Sequence, residues 1–221
     1  NSYGKGIGAE RRDMILETPE LPGADKLSVK PTFSTKYKER IERARELREN
    51  NDRLLAMLNR DIGRVGRNRY NLEVYLSIAW VERHFINTLL ALESAERSFL
   101  AAAEADNEGR PARAVANLIQ ANNRVSSLLA EFDWMWKELK KTWEKSRYEK
   151  GRSVGGRHFV HIMDHVKDHF ADRRPGLEYM IAPYERMKLP EWRASLVQCI
   201  KDYAAKNNVP VRGMEEERLE D

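Results

Sequence analysis

Apolar residues recur at steps of three and four through most of the chain, and this spacing predicts a succession of helices. The clearest run is Val115, Leu118, Asn122, Val125, Leu129, Phe132, Trp136, Leu139 and Trp143, which alternates the two steps without a slip. It is a heptad seam and predicts a helix over about 111–148, about 55 Å long. Pro111 suits its first turn, where the missing N–H would have no partner anyway. Asn122 is the one polar residue in the seam. A single asparagine at such a position can fix packing register.

Two further long helices precede it. Leu72, Tyr75, Ile78, Phe85, Leu89, Leu92 and Phe99 form an apolar stripe over about 71–105, ended by "DNEGRP". Tyr37, Ile41, Ala44, Leu47, Leu54, Leu58, Ile62 and Val65 form another, with Ser34 and Thr35 as candidate N-caps and Gly63 and Gly66 at its end. Residues 1–33 carry Gly4, Gly6, Gly8, Pro19, Pro22, Gly23 and Pro31 and predict an irregular arm. After the heptad helix come the loop "EKGRSVGGR", a histidine-rich helix closed by "RRPG", and a proline-punctuated stretch. A last helix begins after Pro190, and the acidic tail "GMEEERLED" is expected to fray.

Short loops between long helices make neighbours antiparallel. The expected fold is all-α. A long antiparallel three-helix bundle occupies 34–150, a smaller C-terminal helical subdomain 151–212, and the acidic tail 213–221. No run of period two is long enough for a strand, and no repeat of fixed period is evident.

Composition narrows the function. The 221 residues can bury a real core. The formal charge is +4 and the pI near 9.1, which raises a nucleic-acid reading. Charges of both signs are mixed along the chain, and the arginines of "DIGRVGRNRYN" and "ADRRPG" are not interleaved with aromatics. Solvated helix faces account for them better than a phosphate-binding surface. No apolar run approaches the ~20 residues of a membrane span. Cys199, the one cysteine, sits in "SLVQCI" and reads as a buried, inert thiol. The opening "NSYGKGIG" lacks Met and reads as the interior of a longer or processed chain.

The candidate chemistry centres on "HFVHIMDHVKDHF", which holds four of the five histidines. On a helix, His158, His161, His165 and His169 fall within about 80° of arc. Phe159, Ile162, Met163, Val166 and Phe170 centre about 100° away and would face the core. His161 with His165, and His165 with His169, have the i, i+4 spacing that chelates divalent transition metals. "HIMDH" also has the shape of the inverted zincin motif, with Asp164 in the Glu position. Ile162 excludes the forward zincin form, and no ferritin-like Glu-x-x-His occurs. With no third ligand evident, the favoured reading is a polar helix edge that titrates near pH 6 and holds no cofactor. A metal on His161, His165 and His169 is the alternative. "GRSVGGRH" lacks the Gly-Lys-Ser/Thr of a phosphate loop and reads as a connector.

Trp136 and Trp143 belong to the heptad seam, whereas Trp134 lies about 160° from it. An exposed tryptophan there can stack on a sugar ring or dock a neighbouring domain.

The stretch "LKKTWEKSRYEKGRSVGGRHFVHIMDHVKDHFADRRPGLEYMIAPYERMKLPEWRASLVQCIKDYAAKNNVP" resembles the tail of Bacteroidetes-type glycoside hydrolases, family 20 β-N-acetylhexosaminidase-like proteins above all. In these an all-helical region follows a catalytic barrel. The helices containing "YNLEVYLSIAWVERHFINTLLALESAERSFLAAAEAD" and "ARAVANLIQANNRV" are similar in style, so the resemblance spans about residues 35–210. Family 20 catalysis uses an adjacent Asp-Glu pair, and no Asp here is followed by Glu. The resemblance therefore implies a non-catalytic accessory domain, partnered by a catalytic domain of the same polypeptide and by carbohydrate, in the periplasm or outside the cell. A free-standing helical interaction or dimerisation module and a histidine-rich metal-binding protein or hydrolase are the alternatives.

Overall fold

A computed structural model describes residues 16–23, 26–145, 153–154, 157–158 and 188–215, with 143, 144 and the four residues at 153–158 described by backbone alone. The chain is all-α in architecture. Among the described residues its helices are α1 (Thr32–Lys36), α2 (Lys38–Ile62), α3 (Arg69–Asn107), α4 (Pro111–Glu144) and α5 (Leu189–Lys206). Two two-residue strands, β1 (Ser153–Val154) and β2 (Arg157–His158), pair antiparallel, Ser153 with His158 and Val154 with Arg157.

The ladder corrects the expectation that His158 opens a helix. In sequence, two glycines separate the paired residues, and Gly-Gly is a favoured connection between antiparallel strands. The rest of the histidine segment, with His161, His165 and His169, lies outside the described residues.

The α3–α4 pair is the centre of the fold. Its interface is rich in alanine: Ala91, Ala95, Ala102 and Ala105 of α3 and Ala114 and Ala121 of α4 are buried. Small side chains let two backbones approach closely, and Leu92, Phe99, Leu118 and Val125 fill the spaces between them. The connection is built for this approach. Gly109 adopts φ 70°. Its N–H donates to the Asp106 carbonyl at 3.0 Å, and that of Arg110 to the Ala105 carbonyl at 2.8 Å. These two bonds form a Schellman cap.

The stripe expected on α3 is partly wrong. Tyr75 and Ile78 are 62% and 56% exposed. The buried face of this half of the helix is carried instead by Ser77, Ala79, Arg83, His84, Ile86 and Thr88. Four of these six are polar, so apolar periodicity points to the wrong side. The α4 seam is correct in phase, with Val115, Leu118, Asn122 and Val125 buried.

The expected N-caps are also corrected. Ser34 and Thr35 lie inside α1, and Tyr37 separates α1 from α2. The start of α1 is capped by a carboxylate 62 residues away. Glu96, almost fully buried on α3, accepts from the backbone N–H of Phe33 at 2.7 Å and of Ser34 at 2.8 Å. A carboxylate at orphan N–H groups is the favoured partner for a helix start.

Helix α2 packs along α3. Leu55 and Leu58 pack with Ala79, and Asn51 donates to the Ala79 carbonyl at 2.9 Å. Buried Arg83 donates to Asn51 at 2.9 Å and pairs with Asp52. Helix α5 shares the main core through Leu196, Ile200, Tyr203 and Ala204. The irregular arm crosses it: Trp192 donates to the Pro19 carbonyl at 2.8 Å, and Asp106 accepts from the Leu27 N–H and the Tyr203 hydroxyl.

Asn122 does more than set register. Its carbonyl accepts from Arg193 Nε at 3.1 Å, and its amide donates to the Glu215 carbonyl at 3.0 Å. Arg193 also donates to that carbonyl at 2.6 Å, and Asn123 donates to the Gly213 carbonyl at 2.7 Å. The first part of the acidic tail is thus pinned to α4 and α5 where fraying was expected; residues 216–221 lie outside the described residues.

Two stability predictions follow from these caps and polar contacts. Gly109→Ala should cost about 1 kcal/mol in chemical denaturation, because an L-residue is strained at positive φ. Gly66→Ala, with no atom near its added Cβ and no positive φ, should be neutral or stabilising by up to about 0.5 kcal/mol. Asn122→Leu takes an acceptor from the buried Arg193 guanidinium and should cost on the order of 2 kcal/mol. Adding Arg193→Met should recover part of that loss in the same assay.

Candidate functional site

One end of the bundle opens into a cleft of about 410 Å³ between α2, α3 and α4. Its two long walls follow one rule of helix spacing. On α3 the lining includes Arg69, Glu73, Ser77 and Trp80, with Leu76 beside them; on α4 it includes Trp134, Glu138 and Lys141, with Thr142 beside them, and Lys145 follows directly after the helix. Each set steps by three or four and so occupies one helix face. Because the helices run antiparallel, the sets meet in reverse order, tryptophan against tryptophan and Glu73 against Lys145. Asn59 and Ile62 in the last turn of α2 close the third side.

Trp134 is 45% exposed at the rim. Its ring meets Trp80 edge-on, with centroids 4.8 Å apart and planes at 83°. Such an edge-to-face pair is a preferred aromatic geometry. It fixes Trp134 while leaving nearly half of its surface to solvent.

The charged end of the cleft is internally paired. Lys145 Nζ lies 2.5 Å and Arg69 Nε 3.3 Å from the Glu73 carboxylate. Lys141 lies 3.3 Å from Glu138. The hydrogen bond from Lys145, outweighing the opposing effect of burial and helped by the charges of Lys145 and Arg69, holds the Glu73 carboxyl below its ordinary range. A carboxyl held ionised is the opposite of a general acid, which needs its proton near neutral pH.

A second polar group bolts α3 to α4 in the middle of the bundle. His84 is fully buried, with Nδ1 3.5 Å from Glu131 and its ring 5.6 Å from that of Phe132. Asn87 donates to both Glu131 oxygens at 2.9 Å. Burial pushes the Glu131 carboxyl up, but the nearby His84 ring, the two hydrogen bonds from Asn87 and the charge of Arg83 bring it below its ordinary range. This carboxylate, too, is held as an anion rather than as an acid.

Of the residues singled out from sequence, Trp134 is placed at the cleft. His161, His165 and His169 lie outside the described residues, and only the backbone of His158 is described. Among the described residues, no group of three or more His, Cys, Asp or Glu side chains is placed to hold a metal ion. Among them, too, no helix is long and apolar enough to cross a membrane. Cys199 is buried, donates to the Pro22 carbonyl at 3.3 Å, and has its thiol pushed up by burial and by the charge of Asp202. It is therefore a poor nucleophile.

Sequence reasoning missed Trp80 and the paired charges. The signal was present as the matched spacings 69, 73, 77, 80 and 134, 138, 141, 145, but it becomes visible only once the two helices are known to face each other. A comparison with family models, curated proteins and solved structures finds no match to this chain.

The ion pairs make the cleft acid-sensitive. Glu73 has a folded-state pKa below its unfolded one, so its contribution to stability is present above the unfolded value of about 4.3. It is lost as pH falls through the lower folded value. An NMR titration of the Glu73 carboxyl carbon should give a midpoint below the ordinary range, returning toward it in Lys145→Met.

Proposed function

We propose that this chain is a non-catalytic helical accessory module of a carbohydrate-active enzyme, supporting a catalytic domain of the same polypeptide and meeting carbohydrate at the Trp80–Trp134 cleft. The observation that carries this reading is the presentation of Trp134. A large aromatic is held by a second tryptophan at the rim of an open cleft, with ionised groups one and two turns along the same helix face. A pyranose ring needs such a combination, an apolar plate for its C–H face and charged or amide groups for its hydroxyls.

The state of the carboxylates supports binding over chemistry at this site. Glycosidase catalysis needs one carboxyl kept protonated and a second facing it across the scissile bond. Glu73 is held ionised by two cations, and Glu138 is engaged by Lys141.

Calorimetric titration with soluble β-1,4-linked N-acetylglucosamine oligomers, the sugar class suggested by the resemblance, tests the proposal. Binding is expected to wild type, with affinity falling at least tenfold, about 1.4 kcal/mol, in Trp134→Ala. Tyr75→Ala, exposed but outside the cleft, should bind like wild type. No heat of binding to wild type, or equal affinity in Trp134→Ala, would remove carbohydrate from the reading.

A further inference from the structure

The positive charge of this chain is concentrated at one end of the bundle. Residues 60–73 and 137–145 together hold eight cations and four carboxylates, an excess as large as the formal +4 of the whole chain. The rest of the sequence is therefore balanced. Part of the excess lies in the cleft itself. Glu73 is shared by Arg69 and Lys145, so that group keeps one positive charge over, while Lys141 and Glu138 balance.

The remainder stands at the rim. Ile62 and Arg69 both line the cleft, and the turn between them carries Arg64 and Arg67. Each is two residues from a lining position, which puts its Cα within about 7 Å of it. Both residues are exposed, and among the described residues neither guanidinium makes a hydrogen bond or an ion pair. Arg64 feels the charge of Asp61, but the hydrogen bond to that carboxylate comes from Arg60. On α4, exposed Lys137 lies about 60° around the helix from Trp134 and is likewise unpaired among the described residues. Gathering like charge costs stability, yet no contact within the described residues uses these three cations.

We propose that the cleft takes an acidic glycan, a chain whose sugars carry carboxylate or sulfate groups. The inference rests on the cleft binding carbohydrate and names the class of sugar. One ring stacks on Trp134, and the anions of that ring or its neighbours pair with Arg64, Arg67 and Lys137. A neutral sugar would use the tryptophan plate and leave those cations without a partner. A guanidinium donates two parallel hydrogen bonds to a carboxylate or sulfate, so arginines at the rim add both affinity and register. A single-stranded nucleic acid carries comparable charge, but it stacks successive bases on several aromatic plates. Among the described lining residues only Trp80 and Trp134 are aromatic, and one supports the other edge-on, which leaves a single plate.

Calorimetric titration of the full chain at low salt tests it, with oligomers of equal length: neutral β-1,4-linked N-acetylglucosamine, N-acetylglucosamine alternating with glucuronate, and a sulfated form of the neutral chain. At least one acidic oligomer should bind tenfold or more tightly than the neutral one, since a hydrogen bond to a charged group contributes about that factor. Which of the two does so identifies the anion. The advantage should shrink as added salt screens it. Arg64→Gln with Arg67→Gln should remove the advantage and leave neutral binding unchanged. Both residues are exposed, so the melting temperature of this variant should match wild type. Trp134→Ala should weaken binding of every oligomer. Neutral binding with no acidic advantage, or an advantage that survives the double variant, would overturn this inference and leave the carbohydrate reading standing. No binding by any oligomer would overturn both. An oligothymidylate that binds as tightly as the acidic glycan would assign the arginines to a nucleic acid instead.

Discussion

The close antiparallel approach of α3 and α4 is the constraint from which the remaining geometry is built. Alanines at 91, 95, 102, 105, 114 and 121 remove the side-chain bulk that would hold the backbones apart. The left-handed Gly109 then turns the chain within a few residues, so the hairpin starts in register at its closed end. Once the hairpin is formed, it offers two outer faces. Helix α2 and the start of α1 use one, and α5 with the irregular arm uses the other. The arm joins the two sides, with Glu17 bonded to Tyr37 and Pro19 accepting from Trp192.

Polar groups decide where on those surfaces the flanking elements sit. Apolar packing tolerates sliding by a turn, but a buried carboxylate or guanidinium does not. Glu96 fixes α1 by accepting the N–H groups of Phe33 and Ser34. Asn51 and Arg83 fix α2 on α3. Asn122 and Arg193 fix α5 on α4 and hold the chain at Glu215. In each case a misplaced element would leave a charged or amide group dry and unpaired, at a cost of a few kcal/mol. These few contacts supply the specificity that an alanine-rich interface lacks.

The same division explains what could be read from sequence. The α4 seam was legible because its buried positions are large and apolar, and even its exception, Asn122, was visible as the one polar member. The offset of Trp134 from that seam followed from angle alone. The α3 face was not legible. Its first half is buried through Ser77, Arg83, His84 and Thr88, while Tyr75 and Ile78 point outward. Hydrophobic periodicity therefore reported a different face. The start of α1 was misread because its cap, Glu96, is distant in sequence and a local rule could find only Ser34 and Thr35. The cleft was half legible: Trp134 was evident, but Trp80, Glu73 and Lys145 acquire meaning only through the antiparallel pairing.

Unequal helix lengths leave one end of this packing scheme open among the described residues. Helix α3 has 39 residues and α4 has 34, about 58 and 51 Å. Helix α5 has only 18 residues, about 27 Å, and it lies along the half of the hairpin nearest the turn. Helix α2 extends farther, but it packs on α3 and leaves the last turns of α4 facing it across open space. Among the described residues, the long hairpin therefore extends past its flanking helices at the same end on both sides, and the two sides differ in chemistry. Toward α2, paired charges and a tryptophan pair line a cleft in which every described carboxylate is engaged by a cation. Toward α5, valines, phenylalanines and a tryptophan are half-buried, so the polar contacts that set position on one side give way to apolar packing on the other.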